Sequence, residues 1–293
     1  MLTGILAGLA AGALWGLVFV APRMVSSFSG IDVTAGRFLV YGIVAAGVVT
    51  ASWRRARKPT WSQAWAALWL SVLGFTGYYW VLVMAIRDSG TEMPALIVGT
   101  IPLWVMMLGK PHGLKWQTLL PGLALTAAGL VLMAQVPTAA HSSNYTRGLV
   151  LSVLAMASWT AFTLLNAAWL KRHPEVSATD WANWLGVATG LGGLGLALGL
   201  GTPLPQLVAQ PDWPLFAVVA LALGFGSSWL ATIFWNMASQ RLPSSLCGQL
   251  IVSETLFALF YSFIWDGNWP TAAQFTATLL FTAGILASIK AHK

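Results

Sequence analysis

The chain has very little charge. Only 8% of its 293 residues are Asp, Glu, Lys or Arg, where a soluble globular domain carries roughly 25%. With 57% hydrophobic residues and a mean hydropathy of +0.74, that shortage excludes a water-soluble domain and puts the chain in a lipid bilayer. Cysteine is almost absent too. The single Cys247 excludes an intrachain disulfide, and a lone free thiol at the start of an apolar stretch behaves as a small packed hydrophobe. No His/Cys cluster has metal-ligand spacing: His112, His141, His173 and His292 all fall in loops or at the terminus. Gly-rich phosphate loops, Walker patterns and GxSxG elbows are missing. No cofactor is therefore expected. An intramembrane enzyme is disfavoured, because no nucleophile–base pair or metal set stands within the apolar stretches.

What the chain does have is long apolar runs. A membrane span needs about 20 mostly apolar residues. Ten such stretches can be drawn, at roughly 2–22, 33–53, 64–86, 93–109, 117–135, 148–170, 178–200, 214–238, 245–265 and 272–289. The first has no basic leader and no small-residue cleavage site, so it reads as a span and not as a cleavable signal peptide. The net charge of +7 does not indicate nucleic acid, because the basic residues sit in short loops between the spans. Even loops and the C-terminus hold eleven Lys and Arg, among them Arg54, Arg55, Arg57, Lys58, Lys171 and Arg172; odd loops hold only Arg23, Arg87 and Arg147. Short basic loops stay in the cytoplasm. Both termini are therefore expected inside, with loop 54–60 inside and loop 139–147 outside.

The ten stretches divide into five and five. Gly4 precedes Trp15 by eleven residues and Gly148 precedes Trp159 by eleven, a shift of 144. Pro102-Leu103-Trp104 falls opposite Thr255-Leu256-Phe257 at a shift of 153, and Ala128-Gly129-Leu130 opposite Ala283-Gly284-Ile285 at 155. A unit of five spans crosses the membrane an odd number of times, so its tandem copy is inserted upside down. The expected fold is an all-α membrane protein of ten transmembrane helices, built as two inverted five-helix repeats (1–138 and 146–293) around a central cavity. Inverted repeats of this kind place a transporter's substrate near midplane between the halves.

Polar groups inside the spans are the best pointers to that site, because an ionisable residue at helix centre costs roughly 2.5–3.5 kcal/mol and usually faces a cavity. Glu254 is the one carboxylate well inside a span. Arg37 is shallower and reads as a snorkelling anchor or the partner of an outer acid. Gln249 and Ser253 lie four apart on one helix face, and Thr100 is the repeat partner of Ser253. Asn166 follows Trp159 by seven residues on the same face. Interhelical hydrogen bonding accounts equally well for any single one of these neutral polar residues. Of the 17 tryptophans, several stand at span ends, as aromatic belts require. Trp15, Trp159 and Trp235 lie deeper. Trp15 and Trp159 are repeat-equivalent, and two indoles facing each other would wall a planar or cationic solute. Tyr78 and Tyr79 cover most of one side of the third span. Pro94 and Pro102 interrupt the fourth. The Gly4/Gly8/Gly12 and Gly186/Gly190/Gly193 stripes predict close helix packing.

Taken together, Ala13-Leu14-Trp15-Gly16 and Ala157-Ser158-Trp159-Thr160, Tyr79 followed by Ala85, IPLWVMML at 101–108 and ETLFALF at 254–260 resemble the drug/metabolite transporter superfamily, in the branch made of two EamA-type repeats. The resemblance covers the whole chain and comes near the YddG-type bacterial aromatic amino-acid exporters. Thr255 stands where the family often has Pro after the glutamate. The shift of 150 at Leu73-Gly74-Phe75 and Leu223-Gly224-Phe225, against 153 at Met84-Ala85 and Met237-Ala238, makes the third and eighth helices imperfect copies. The resemblance implies a multi-pass bacterial inner-membrane exporter whose partners are the lipid bilayer and a small-molecule substrate, with no nucleic acid. The expected substrate site is Trp15, Tyr78, Tyr79, Thr100, Trp159, Asn166, Trp235, Gln249, Ser253 and Glu254. Aromatic amino acids lead as cargo; other amino acids or cationic drugs are the alternative. One buried carboxylate fits proton coupling and fits equally a carboxylate that only binds an ammonium.

Overall fold

The computed structural model describes residues 1–52, 58–89, 92–133, 144–267 and 269–292. Arg54, Arg55, Arg57, His141 and most of loop 139–147 lie outside the described residues. Every regular element among the described ones is helical. Chain order runs α1 (Leu2–Met24), α2 (Gly30–Ala51), α3 (Trp61–Ser71), a π-helical segment (Val72–Thr76), α4 (Gly77–Ser89), α5 (Glu92–Gly99), α6 (Ile101–Leu108) and α7 (Trp116–Met133). It continues with α8 (Tyr145–Arg172), α9 (Ala178–Leu200), α10 (Leu204–Val208), α11 (Trp213–Ala222), a second π-helical segment (Leu223–Leu230), α12 (Ala231–Arg241), α13 (Ser244–Asp266) and α14 (Ala272–Ala291).

Seven helices among the described residues are long and apolar enough to cross a membrane, and Leu2–Val18, Ile97–Leu108 and Trp116–Leu132 form shorter apolar helices. Their outer faces suit lipid. Ile43 is 70% exposed, Leu198 81% and Ile264 65%, which would be costly in water.

Helix starts follow ordinary capping chemistry. Ser29 accepts from the Asp32 N–H ahead of α2, and Ser177 from the Asp180 N–H ahead of α9. Thr60 with Gln63, and Thr271 with Gln274, make full capping boxes. The helix break at Thr100 comes from Pro102, which has no N–H to continue the ladder. Thr100 Oγ1 instead donates to the Ile97 carbonyl at 2.6 Å. Pro94 causes no break. It lies in the first turn of α5, where a missing N–H would have had no helical partner anyway.

The glycine stripes do pack helices closely. Gly4, Gly8, Gly12 and Gly16 meet Leu242, Leu250, Ser253 and Phe257 in turn, so α1 runs parallel to α13. Gly42 and Gly190 touch backbone to backbone. Tyr41 donates to the Ala182 carbonyl at 2.7 Å, and Asp32 at the start of α2 accepts from Thr202 just past the end of α9 at 2.8 Å. The α2–α9 pair is therefore antiparallel.

The two π-helical segments contain the Leu-Gly-Phe triplets. The first is five residues long and the second eight. That difference of three equals the change in shift from 150 to 153 between the triplets and the Met-Ala pairs. Wide turns absorb extra residues inside a helix without ending it, so both long helices stay continuous.

Candidate functional site

Three indoles meet where α1, α8 and α12 converge. Trp15 and Trp235 have ring centroids 5.3 Å apart, Trp15 and Trp159 6.0 Å, and Trp159 and Trp235 6.4 Å. Trp15 and Trp159 touch edge to face, with planes 76° apart. Inserting a ring between two faces needs about 7 Å, so these indoles close on each other and leave no slot between them. The indole Nε1–H of Trp235 is buried without a hydrogen-bond partner. From Trp159 the aromatic surface continues through Phe162 and Phe75 to Phe38 and Tyr79, each step 5.4–6.3 Å between centroids.

A polar group borders this surface. Arg37 does not snorkel. Its Nε donates to Ser228 Oγ at 2.7 Å on the second π-helical segment, and Nη2 makes a long contact of 3.5 Å with the Ser227 carbonyl. Arg37 lies within electrostatic reach of Glu254, Tyr78, Tyr79 and Tyr41. Depth follows from the helix ends. Arg23, at the end of α1, donates to Ser262 on α13 at 2.9 Å, which fixes one end of α13 beside the turn into α2. Arg37 lies about 10 Å along α2 from its start, and Glu254 about 12 Å along α13 from the Ser262 contact, at 1.5 Å per residue.

The remaining expected residues have protein partners. Asn166 is fully buried on α8; its amide donates to Asn236 Oδ1 at 3.2 Å and accepts from Trp181 Nε1 at 2.7 Å. Asn236 in turn donates to the Ala178 carbonyl at 3.3 Å. Gln249 joins α13 to α7 and α14, donating to Thr126 Oγ1 at 3.0 Å and accepting from Ser288 at 3.2 Å. Ser253 donates to the Leu250 carbonyl at 2.7 Å and faces Gly12 of α1. Thr100 accepts from Trp104 Nε1 at 3.2 Å. The structure thus brings Trp15, Trp159 and Trp235 together, leaves Tyr78, Tyr79 and Glu254 within electrostatic reach of Arg37, and engages Thr100, Asn166, Gln249 and Ser253 in contacts among the helices themselves.

Ser227 and Ser228 escape the sequence reading. Their signal is a Gly-Ser-Ser run within an apolar stretch, matched by a lone arginine two turns inside another. No group of three or more His, Cys, Asp or Glu that could hold a metal occurs among the described residues. A separate hollow of about 460 Å³ opens at the far end of α13, lined by Lys171, Gln240, Arg241 and Ser244 among others.

Comparison with known proteins agrees with this architecture. Over 309 aligned positions the chain is 29% identical to the inner membrane protein YtfF of Escherichia coli, covering 99% of this chain and 96% of that one. It is 25% identical to an uncharacterized transporter of Archaeoglobus fulgidus, over 82% of each chain. A crystal structure superposes with a TM-score of 0.80, covering 99% of this chain and 97% of the other at 17% identity, a likeness of fold. Residues 2–135 match the EamA-like transporter family. This likeness over the first half of the chain, with the likeness to YtfF over nearly its whole length, points to a membrane transporter rather than an enzyme.

Proposed function

We propose that the chain is an inner-membrane secondary transporter that exports small metabolites, aromatic amino acids foremost, in the manner of the YddG-type exporters. It works by alternating access between two inverted five-helix repeats, residues 1–138 and 146–293. The observation that carries the reading is the aromatic surface beside two half-buried, opposite charges. Trp15, Trp159, Trp235 and Tyr79 supply apolar and π contact for an aromatic side chain, while Glu254 and Tyr78 meet its polar end. Thr100, Asn166, Gln249 and Ser253 hold the helices that carry these groups.

Two features support the inverted relation. α2 and α9 occupy equivalent places in the halves, start with the same Ser-x-x-Asp cap and pack antiparallel. The Leu-Gly-Phe triplets form wide turns in both halves. The name of the Escherichia coli relative supports an inner-membrane location, and the Lys/Arg asymmetry supports cytoplasmic termini. The three indoles, closed on one another, belong to a state in which the aromatic pocket is shut. Transport then requires them to part, and the parallel α1–α13 glycine seam is a surface on which that motion can run.

The test is export of labelled phenylalanine from proteoliposomes holding the purified chain. Efflux above protein-free vesicles, competed by tryptophan and tyrosine, is the expected result. Transport of other solutes with no response to any aromatic amino acid would overturn the aromatic assignment. An imposed pH gradient separates proton exchange from passive export. Acceleration that vanishes in Glu254→Gln marks Glu254 as the coupling group, and indifference marks it as an ammonium anchor.

A further inference from the structure

We propose that Arg37 is the carboxylate anchor of the substrate site and that, opposite Glu254, it makes the site selective for zwitterions. The inference rests on the transporter reading above and names the chemistry of its cargo. Arg37 and Glu254 are both half-buried and converge on the same turn of α1: the Glu254 backbone lies against Gly12, and Ser227, next to the serine that holds Arg37, donates to the Leu14 carbonyl. Yet no ion pair joins them among the described residues. Opposite charges in a low-dielectric interior attract strongly, so something must hold them apart.

The restraint is visible. Ser228 on the second π-helical segment grips Nε of Arg37, with the Ser227 carbonyl next to it. Ser227 is itself tied, donating to the Leu14 carbonyl of α1 at 2.5 Å. The rest of the guanidinium has no protein partner among the described residues, and neither has the Glu254 carboxylate. The Tyr78 hydroxyl, within reach of both charges, is equally unengaged.

A guanidinium offers a planar fork that matches a carboxylate, and a carboxylate accepts from an ammonium. An α-amino acid presents both groups on one carbon. Placed between Arg37 and Glu254 it satisfies both charges and leaves its side chain to the aromatic surface that starts at Phe38, whose ring lies 5.4 Å from the Arg37 guanidinium carbon. A cation alone would leave the Arg37 charge without a counter-charge; an anion alone would leave Glu254 so.

The experiment is equilibrium binding to the purified full chain in detergent. The probes are phenylalanine, threonine, phenethylamine (no carboxylate) and 3-phenylpropionate (no ammonium). Wild type is expected to bind phenylalanine roughly ten- to hundredfold more tightly than either single-charge analogue, the range for losing a charge-assisted hydrogen bond. Arg37→Gln is expected to bring phenylalanine down to the level of phenethylamine while leaving phenethylamine unchanged. Glu254→Gln should do the same relative to 3-phenylpropionate. Arg37→Lys keeps the charge without the fork, and serves if the Gln variant does not fold: it should weaken phenylalanine and spare phenethylamine. Equal binding of phenethylamine and phenylalanine to wild type overturns the proposal and leaves aromatic transport standing. So does equal loss of both ligands in Arg37→Gln or Arg37→Lys, which marks a structural arginine. Binding of threonine but not phenylalanine, lost in Arg37→Gln, upholds the zwitterion site and removes the aromatic assignment. Binding of no amino acid at all overturns both.

Discussion

Two sets of polar side chains lie within the same helices and differ in what meets them. Asn166, Asn236 and Trp181 complete each other's hydrogen bonds at the α8–α9–α12 junction, as Gln249, Thr126 and Ser288 do between α13, α7 and α14. The Nε1 of Trp235 is buried without a partner, and Arg37 beyond its Ser228 and Ser227 contacts, Glu254 and Tyr78 make no side-chain hydrogen bond among the described residues. In lipid an unsatisfied polar group is expensive, so leaving these groups open carries a cost that the first set avoids. Residues of one chemical type thus divide into those that hold helices together and those left over for something else.

The largest effect is expected in the tightest seam. Gly190 meets the Gly42 backbone directly, whereas Gly195 in the same helix faces open space, with nothing within 4 Å of where a Cβ would stand. Gly190→Leu is expected to abolish a monodisperse peak in size-exclusion chromatography, because overpacking against backbone has no side chain to yield. Gly195→Leu should elute as wild type. Equal behaviour of the two would mean that α2 and α9 do not meet through these glycines.

Next in size is Asn166→Leu. It strands the Trp181 indole N–H and half of Asn236, at about 1–3 kcal/mol for each unsatisfied group. The expected outcome is a lower midpoint of thermal unfolding, with transport per folded molecule unchanged. A transport defect at wild-type stability would move Asn166 from the first set to the second.

These partnerships mark the limit of what is legible in the sequence. Apolar run length places all ten stretches on helices, with ends correct to within three residues, because lipid demands satisfied backbone and a minimum length. The glycine stripes read correctly for the same local reason. The π-helical segments are visible only as an unexplained slip from 150 to 153. The partners are not legible at all. Asn166 and Asn236 stand 70 positions apart, Thr126 and Gln249 123, and Arg37 and Ser228 191. A buried amide looks the same in sequence whether its partner is another helix or a solute. Arg37 reads as an anchor for that reason, since nothing local reveals the serine that turns it inward.

A smaller effect is expected at the indoles. Trp15→Ala and Trp159→Ala each remove an aromatic contact of about 0.5–1.5 kcal/mol, which corresponds to roughly a three- to twelvefold weaker apparent affinity for phenylalanine. Transport kinetics normalised to folded protein provide the measure. Normal affinity together with poor folding would assign the three-indole cluster to packing alone.

The smallest effect tests whether Gln249 belongs wholly to the bonded set. Interhelical hydrogen bonds in membranes average about 0.6 kcal/mol and reach about 1.7, because helices that separate within the bilayer find other partners. Gln249→Leu alone strands Thr126 and Ser288; Thr126→Val alone leaves Gln249 with Ser288. The double variant removes both members of the Gln249–Thr126 bond, so only Ser288 is left without its partner. A double-mutant cycle on unfolding in detergent is therefore expected to give a coupling energy of about 0.6–1.7 kcal/mol, with the double variant costing less than the two single changes added. Phenylalanine affinity should stay at wild type in all three. Additive costs would show that the Gln249–Thr126 bond contributes nothing, and a fall in affinity confined to the Gln249 variants would show that its amide also faces the substrate.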